Sequence, residues 1–276
     1  MESHTRPEKC FICKTCGTQF SAARRPPRYC PICEDERQYV GWEGQEWTTL
    51  QDLQEGHDNQ LKTVAPGLTG IGTRPTFAIG QRALLVQTAH GNVLWDCISL
   101  LDQATIQAVA DRGGIQAIAI SHPHFFSSMV EWSLAFNAPI HLHEEHQPWV
   151  MRRDAAIQYW KGDRTTINPD LTLIRVGGHF PGSSVLHWSG GARGQGALLS
   201  GDSIQVVSDR RYVSFMYSYP NLIPLSPESV RTIISALEPF PFQRIYGGWW
   251  DRNVKQDGKH ALQRSAQRYI AALQNK

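Results

Sequence analysis

Two histidines, His122 and His124, follow the apolar run AIAIS in AIAISHPHFF. At an extended strand end, residues two apart point the same way, so both imidazoles can reach one ion. A third histidine, His179, sits in RVGGHFPGSS, where glycines let the backbone bend toward a shared centre. The apolar stretch ALLSGD ends in Asp202, and a carboxylate at a strand terminus can hold metal or orient a bound water. Three imidazoles sharing one zinc with a fourth position open would leave a bound water acidic enough to supply hydroxide near neutral pH. An HxH pair alone is weak, because core and surface histidines are commoner than ligands, so the argument needs all three pieces.

The cysteines suggest a second site. Five of the six lie in the first 33 residues, and Cys13-x-x-Cys16 and Cys30-x-x-Cys33 form two thiolate pairs. Each pair can aim two sulfurs at one ion, and together they complete a tetrahedral shell. Gly17 and Pro31 are the turn residues such knuckles favour. Cys10 offers a second register with Cys13; the Cys13/Cys16 pairing is preferred because Gly17 follows it. The pattern resembles zinc ribbons and short rubredoxin-type domains, which implies zinc, with iron as the lesser alternative. The expected role is a stabilising clip, with a protein partner for the head left open. The intervening SAARRPPR reads as a solvated face rather than a nucleic-acid contact.

The 276 residues carry a formal net charge of +2, with 41% hydrophobic and 19% charged residues. That balance disfavours an obligate nucleic-acid or membrane-surface protein. No apolar run approaches the roughly 20 residues that span a bilayer. The polar start MESHTRPEKC lacks the apolar core of a secretory signal, so a cytoplasmic location is expected.

The elements that must position these residues can be read from periodicity. RALLVQT, GNVLWDC, IQAIAIS, APIHLH, LTLIRVG, SSVLHWS, GALLSGD and FQRIYGG read as strands. Helical spacing appears in SLLDQATIQAVADRGG, stopped by Gly113 and Gly114, and in SSMVEWSLAF, SPESVRTIISALEPF and GKHALQRSAQRYIAALQ. Ser226-Pro227 makes a good N-cap and first turn. The result is an α/β chain. Three parts are expected: a four-cysteine, zinc-ribbon-like head over 1–40, a connector over 41–75 and a large domain over 76–276. Within the connector LQDLQEG suits a short helix, and APGLTGIGTRP reads as loop.

HxH after a strand, then GGHFPGS, then LLSGD, in this order and at these distances, resembles the metallo-β-lactamase fold superfamily, over roughly Phe77 to Leu273. The resemblance implies a four-layer αβ/βα sandwich with the metal at one edge between the sheets. It implies a metal-bound hydroxide that attacks esters, thioesters, amides or phosphodiesters. Asp96 in VLWDC matches the structural aspartate after that fold's second strand.

The pattern also departs from the family. In its HxHxDH motif the aspartate and last histidine are here Phe126 and Ser127, and the late histidine falls at Trp249 or Trp250. One zinc, held by His122, His124 and His179 with Asp202, is therefore expected in place of two. The lost aspartate leaves the proton acceptor to be replaced. His143, which projects with His141 from one strand face in PIHLHEEH, is the candidate. Glu144 and His146 read as solvated loop, Glu131 as a surface helix position and Cys97 as core. RRYVSFMYSYPNLIPLSPE, with Phe125, Phe126, Trp249 and Trp250, could line an aromatic pocket for a small molecule. These features point to a zinc hydrolase-like enzyme acting on an ester-, thioester- or lactone-type compound. The alternatives are a non-catalytic binding protein and a redox protein with an iron-loaded head.

Overall fold

The computed structural model describes residues 7–274, so the first six residues of the head lie outside the described residues. The head opens with β1 (Phe11–Cys13), which pairs antiparallel with β2 (Trp47–Thr49). A single helical turn, Pro31–Glu34, carries Cys33. The four sulfurs of Cys13, Cys16, Cys30 and Cys33 gather with Phe20 and Ile32 into a small core of their own, against Trp47, Trp149 and Met151.

The body is built on two large sheets among the described residues. The first contains β3 (Asp58–Ala65), β4 (Leu68–Arg74), β5 (Ala83–Val86), β6 (Val93–Trp95), β7 (Ala117–Ala119), β8 (Ile140–His143) and β9 (Ile157–Trp160), side by side in sequence order. Pairing is antiparallel from β3 to β6 and parallel from β6 to β9. The second begins with β10 (Arg164–Asn168), β11 (Leu171–Arg175), β12 (Ser184–Trp188) and β13 (Ala197–Leu199). Two short ribbons follow: β14 (Gln205–Val206) with β15 (Val213–Ser214), and β16 (Met216–Ser218) with β17 (Ile223–Pro224). The chain then completes the second sheet with β18 (Arg244–Tyr246) and β19 (Asn253–Val254), in the order β10-β11-β12-β13-β18-β19.

Alternation along the strands sorts the side chains into layers. Leu84 and Val86 of β5 face the second sheet, where Leu173, Leu186 and Leu199 meet them. Ala83 and Leu85 face outward onto the helices Gln103–Ala110 and Met129–Phe136, through Val109, Met129 and Trp132. The second sheet likewise packs outward on Pro227–Leu237 and Gly258–Leu273, through Val230, Ile233, Leu237 and Leu262. The result is the expected four-layer sandwich of helix, sheet, sheet and helix. The helix starts agree with their caps: Asp102 accepts from the Thr105 amide at 2.6 Å, and Ser226 accepts from the Ser229 amide at 3.1 Å.

The stretch APGLTGIGTRP, expected as loop, is instead mostly strand: β4 pairs with β3 over seven positions and joins the first sheet. Its glycines hid it, and they have a packing purpose. A Cβ on Gly72 would meet the Trp250 ring at 2.8–3.1 Å, and one on Gly70 would meet it at 2.9–3.0 Å. Trp250 lies on β4 because those two side chains are missing. No helix among the described residues is long and apolar enough to cross a membrane.

Candidate metal centre

Each candidate ligand comes from a strand end at one edge of the sandwich. β7 leads into His122, whose backbone is still extended, and the single turn Pro123–Phe125 presents His124. His179 lies in the turn between β11 and β12, and Asp202 follows β13. The β13 exit lies tight against Ser121: a Cβ on Gly201, at φ +54°, would sit 2.5 Å from the Ser121 hydroxyl. Only glycine fits that approach.

The structure brings together His122, His124, His179 and Asp202, with one ligand atom from each lying within 4.8 Å of the others. His179 Nε2 lies 3.1 Å from His124 Nδ1, and His122 Nε2 lies 3.2 Å from Asp202 Oδ2. Asp202 Oδ2 is 4.0 Å from His124 Nδ1 and 3.9 Å from His179 Nε2. A tetrahedral ion with bonds of about 2.0–2.1 Å has edges of about 3.3 Å, so the spacing suits one such ion.

The outer atoms set the tautomers. His179 Nδ1 faces the Met216 carbonyl at 3.2 Å, so its proton points outward and its Nε2 lone pair points to the centre. His122 Nδ1 lies 2.8 Å from Ser121 Oγ, which donates onward to Asp96 Oδ1 at 2.7 Å. That chain likewise leaves His122 Nε2 as an acceptor, buried and without a hydrogen-bond partner, as is Asp202 Oδ1. Buried atoms left so are costly unless something shared satisfies them.

Burial depresses His124 to about 4, against the pull of Asp202, and holds His179 well below its ordinary value, with His122 and His124 adding to the effect. His124 and His179 are thus neutral near pH 7, as ligands must be. Burial pushes the Asp202 carboxyl up, but the nearby His122 and His124 outweigh it and hold it well below the usual range. Asp96 behaves in the opposite way: burial raises it to about 8, against the bonds from Ser121, so it is a neutral acid near pH 7.

His143 does not join this group. Its Nε2 lies 3.1 Å from the Gly162 carbonyl and its Nδ1 accepts from the Glu145 amide, so both nitrogens are committed. His146, expected in solvated loop, is fully buried against Phe126, and neither ring nitrogen has a protein partner. The aromatic pocket also fails to form as expected. Phe125 and Phe126 are core, with Phe125 against His122 and Trp249, and Ser127 accepts from Gln81 and donates to the Cys97 carbonyl. The rings against the centre are Phe125, Phe180 and Tyr219, with Trp149 behind Phe180; the Tyr219 hydroxyl donates to the Asp202 carbonyl at 2.8 Å. Phe125 and Tyr219 are among the residues whose composition pointed to the site. Glu131 is no free surface acid, since it pairs with Arg152 and accepts from Gln19 of the head.

In the head, Cys13, Cys16, Cys30 and Cys33 form the other cluster, all buried, while Cys10 stands outside it. Hydrogen bonds from the neighbouring sulfurs pull Cys13 well below the usual thiol range, and Cys16 and Cys33 are pushed up beside it. Four sulfurs packed so closely cannot all ionise without a cation, so the donor set suits one tetrahedral metal ion.

No family model matches the chain. "Uncharacterized protein YmaE" of Bacillus subtilis (strain 168) is 51% identical over 265 residues, which is 95% of this chain and 96% of that protein. The solved structure of VMB-1 matches with a TM-score of 0.59 at 12% identity, covering 78% of this chain and 98% of that one. DIM-1 metallo-β-lactamase matches with a TM-score of 0.58 at 12% identity, with the same coverage. The Cronobacter sakazakii metallo-β-lactamase with a HARLDQ motif gives 0.51 at 16% identity, over 78% and 93%. The chain belongs to the family of the Bacillus subtilis protein, and it has the metallo-β-lactamase fold behind a four-cysteine head.

Proposed function

We propose that this protein is a metallo-hydrolase with one divalent ion at the histidine centre and zinc in the head, acting on a small ester, thioester or lactone. The observation that carries the reading is the convergence of His122 Nε2, His124 Nδ1, His179 Nε2 and Asp202 Oδ2, with two outer nitrogens already anchored. A zinc ion held there would supply Lewis acidity toward a carbonyl and toward a water. The residues themselves divide the work. The three imidazoles hold the ion, and Asp202 either completes its shell or orients the attacking water. In the motif of the superfamily that the sequence resembles, the second ion's ligands fall at Phe126, Ser127 and Trp249 or Trp250, which supports a single ion. Six cysteines with no disulfide between them fit a reducing cytoplasm.

Elemental analysis of protein purified without chelators, followed by an ester panel, tests this. Wild type should hold two ions per chain and turn over an ester; His179→Ala should lose one ion and the turnover with it. Undiminished metal and turnover in that variant would end the proposal.

One observation favours a second reading. All four side chains are at most 5% exposed, and four protein donors fill a tetrahedron, the form of structural sites. The protein would then bind rather than turn over its ligand. Tight binding without product in a metal-replete sample is its signature. A coloured head would favour the iron and redox alternative; a colourless, zinc-loaded head removes it.

A further inference from the structure

The segment just beyond the last cysteine of the head reaches the histidine centre. Asp35 and Arg37 form a fork, with Arg37 Nε 2.6 Å from Asp35 Oδ1 and Nη2 2.8 Å from Oδ2. The remaining arm, Nη1, donates to the carbonyl of His179 at 3.3 Å. The guanidinium carbon stands 3.8 Å from the centre of the Phe180 ring, with Trp149 and Tyr217 each 5.3 Å away. Phe180 in turn packs on all three imidazoles, at 5.9, 5.1 and 5.2 Å from His122, His124 and His179.

The segment is held on both sides of Arg37. The Tyr217 hydroxyl donates to the Glu36 carboxylate at 2.7 Å, and Asn221 donates to the carbonyls of Glu36 and Gln38. Only 11% of the Arg37 side chain is exposed. A cation so enclosed must be matched by fixed partners, and here one of them is the backbone of a candidate ligand.

We propose that Arg37, carried by the cysteine head, is a positioning residue of the histidine centre: it fixes the His179–Phe180 turn and so aims the His179 imidazole. The proposal rests on the reading of that centre as a metal site. It gives the head a role beyond its own stability, because the thiolate cluster sets where Asp35 and Arg37 begin. Arginine is required by the geometry, since three arms serve two separate acceptors in one plane while the face covers an aromatic ring.

The test compares full-length wild type with Arg37→Ala and Arg37→Lys, and with Glu131→Gln, which loosens the head at a contact remote from Arg37. Competition with a chelator reads the zinc affinity of each site. Diethyl pyrocarbonate labelling of the metal-free chains, mapped by peptide mass, reads the exposure of His179. Arg37→Ala should keep the head ion, weaken the second ion by about tenfold or more and make His179 reactive. Arg37→Lys, which keeps a cation over Phe180, should recover part of both, and Glu131→Gln should match wild type.

Wild-type affinity and labelling in Arg37→Ala would overturn the proposal, as would an equal loss in Glu131→Gln. If Arg37→Ala does not fold, Asp35→Asn takes its place, with the same direction expected and unchanged values equally fatal. A wild-type chain that binds only the head ion would defeat the metal reading instead. The labelling contrast at His179 would still decide what Arg37 does.

Discussion

At the residue scale, protonation should govern the stability of the metal-free chain. His124 in the fold titrates at about 4, and His179 and His146 are also depressed, below the unfolded value of 6.5. On acidification the unfolded chain takes up these protons first, so stability should fall as pH drops from about 6.5 toward 4. Asp96 works the other way. Its folded value of about 8 exceeds the unfolded value, so the fold keeps a proton that the unfolded chain has lost. Stability from this group falls as pH rises from about 4 to 8, by about 1.4 kcal/mol per unit. The depressed histidines, with His141, His143 and His187 among them, outweigh one acid below pH 6.5, so urea midpoints should rise from pH 4 to about 6.5. Asp96→Asn should steepen that rise while tolerating the left-handed backbone there, φ +60°. An unchanged slope would assign the opposing contribution elsewhere. The ligand candidates were legible because each lies in a short local pattern at a strand end. Arg37 and His146 were not, because what defines them is contact with residues far away in the chain.

At the scale of elements, two details carry measurable weight. Gly72→Ala forces a methyl into the Trp250 ring, and overpacking of this kind costs about 1–3 kcal/mol, read from urea unfolding. Ser226→Ala removes the cap of the helix Pro227–Leu237 and should cost about 1 kcal/mol. If Gly72→Ala is neutral, Trp250 is not seated as described. Strands with strong alternation or apolar runs, such as β5, β7 and β12, could be read directly. β4 could not, since LTGIGTR has glycine where a strand usually has a branched side chain, and the reason is a tryptophan, Trp250, far along the chain. β9 and β10 escaped for a related reason: IQYW and RTTIN are partly exposed near the sheet edges and carry little apolar periodicity.

At the scale of the whole molecule, the proposed ions should add to the stability of the fold. Zinc held at a hundred times the dissociation constant of one site should stabilise the fold by about 2.7 kcal/mol, and a strong chelator should lower the melting temperature accordingly. No shift with chelator would mean that neither cluster holds metal. The α/β class was legible because helix and strand signals alternate along the chain, while the four-layer order came only from the resemblance to the superfamily. The docking of the head was not legible, because no local pattern encodes it. Its seat has a temporal consequence. Glu36 and Gln38 bind Asn221, which lies 185 and 183 residues later. During synthesis at about 5–20 residues per second, those partners emerge only about 10–40 s after the head itself. The thiolate cluster can therefore capture its ion on the nascent chain, while the histidine centre still lies open to the cell's metal pool. The part of the protein made first would be the last to settle into place.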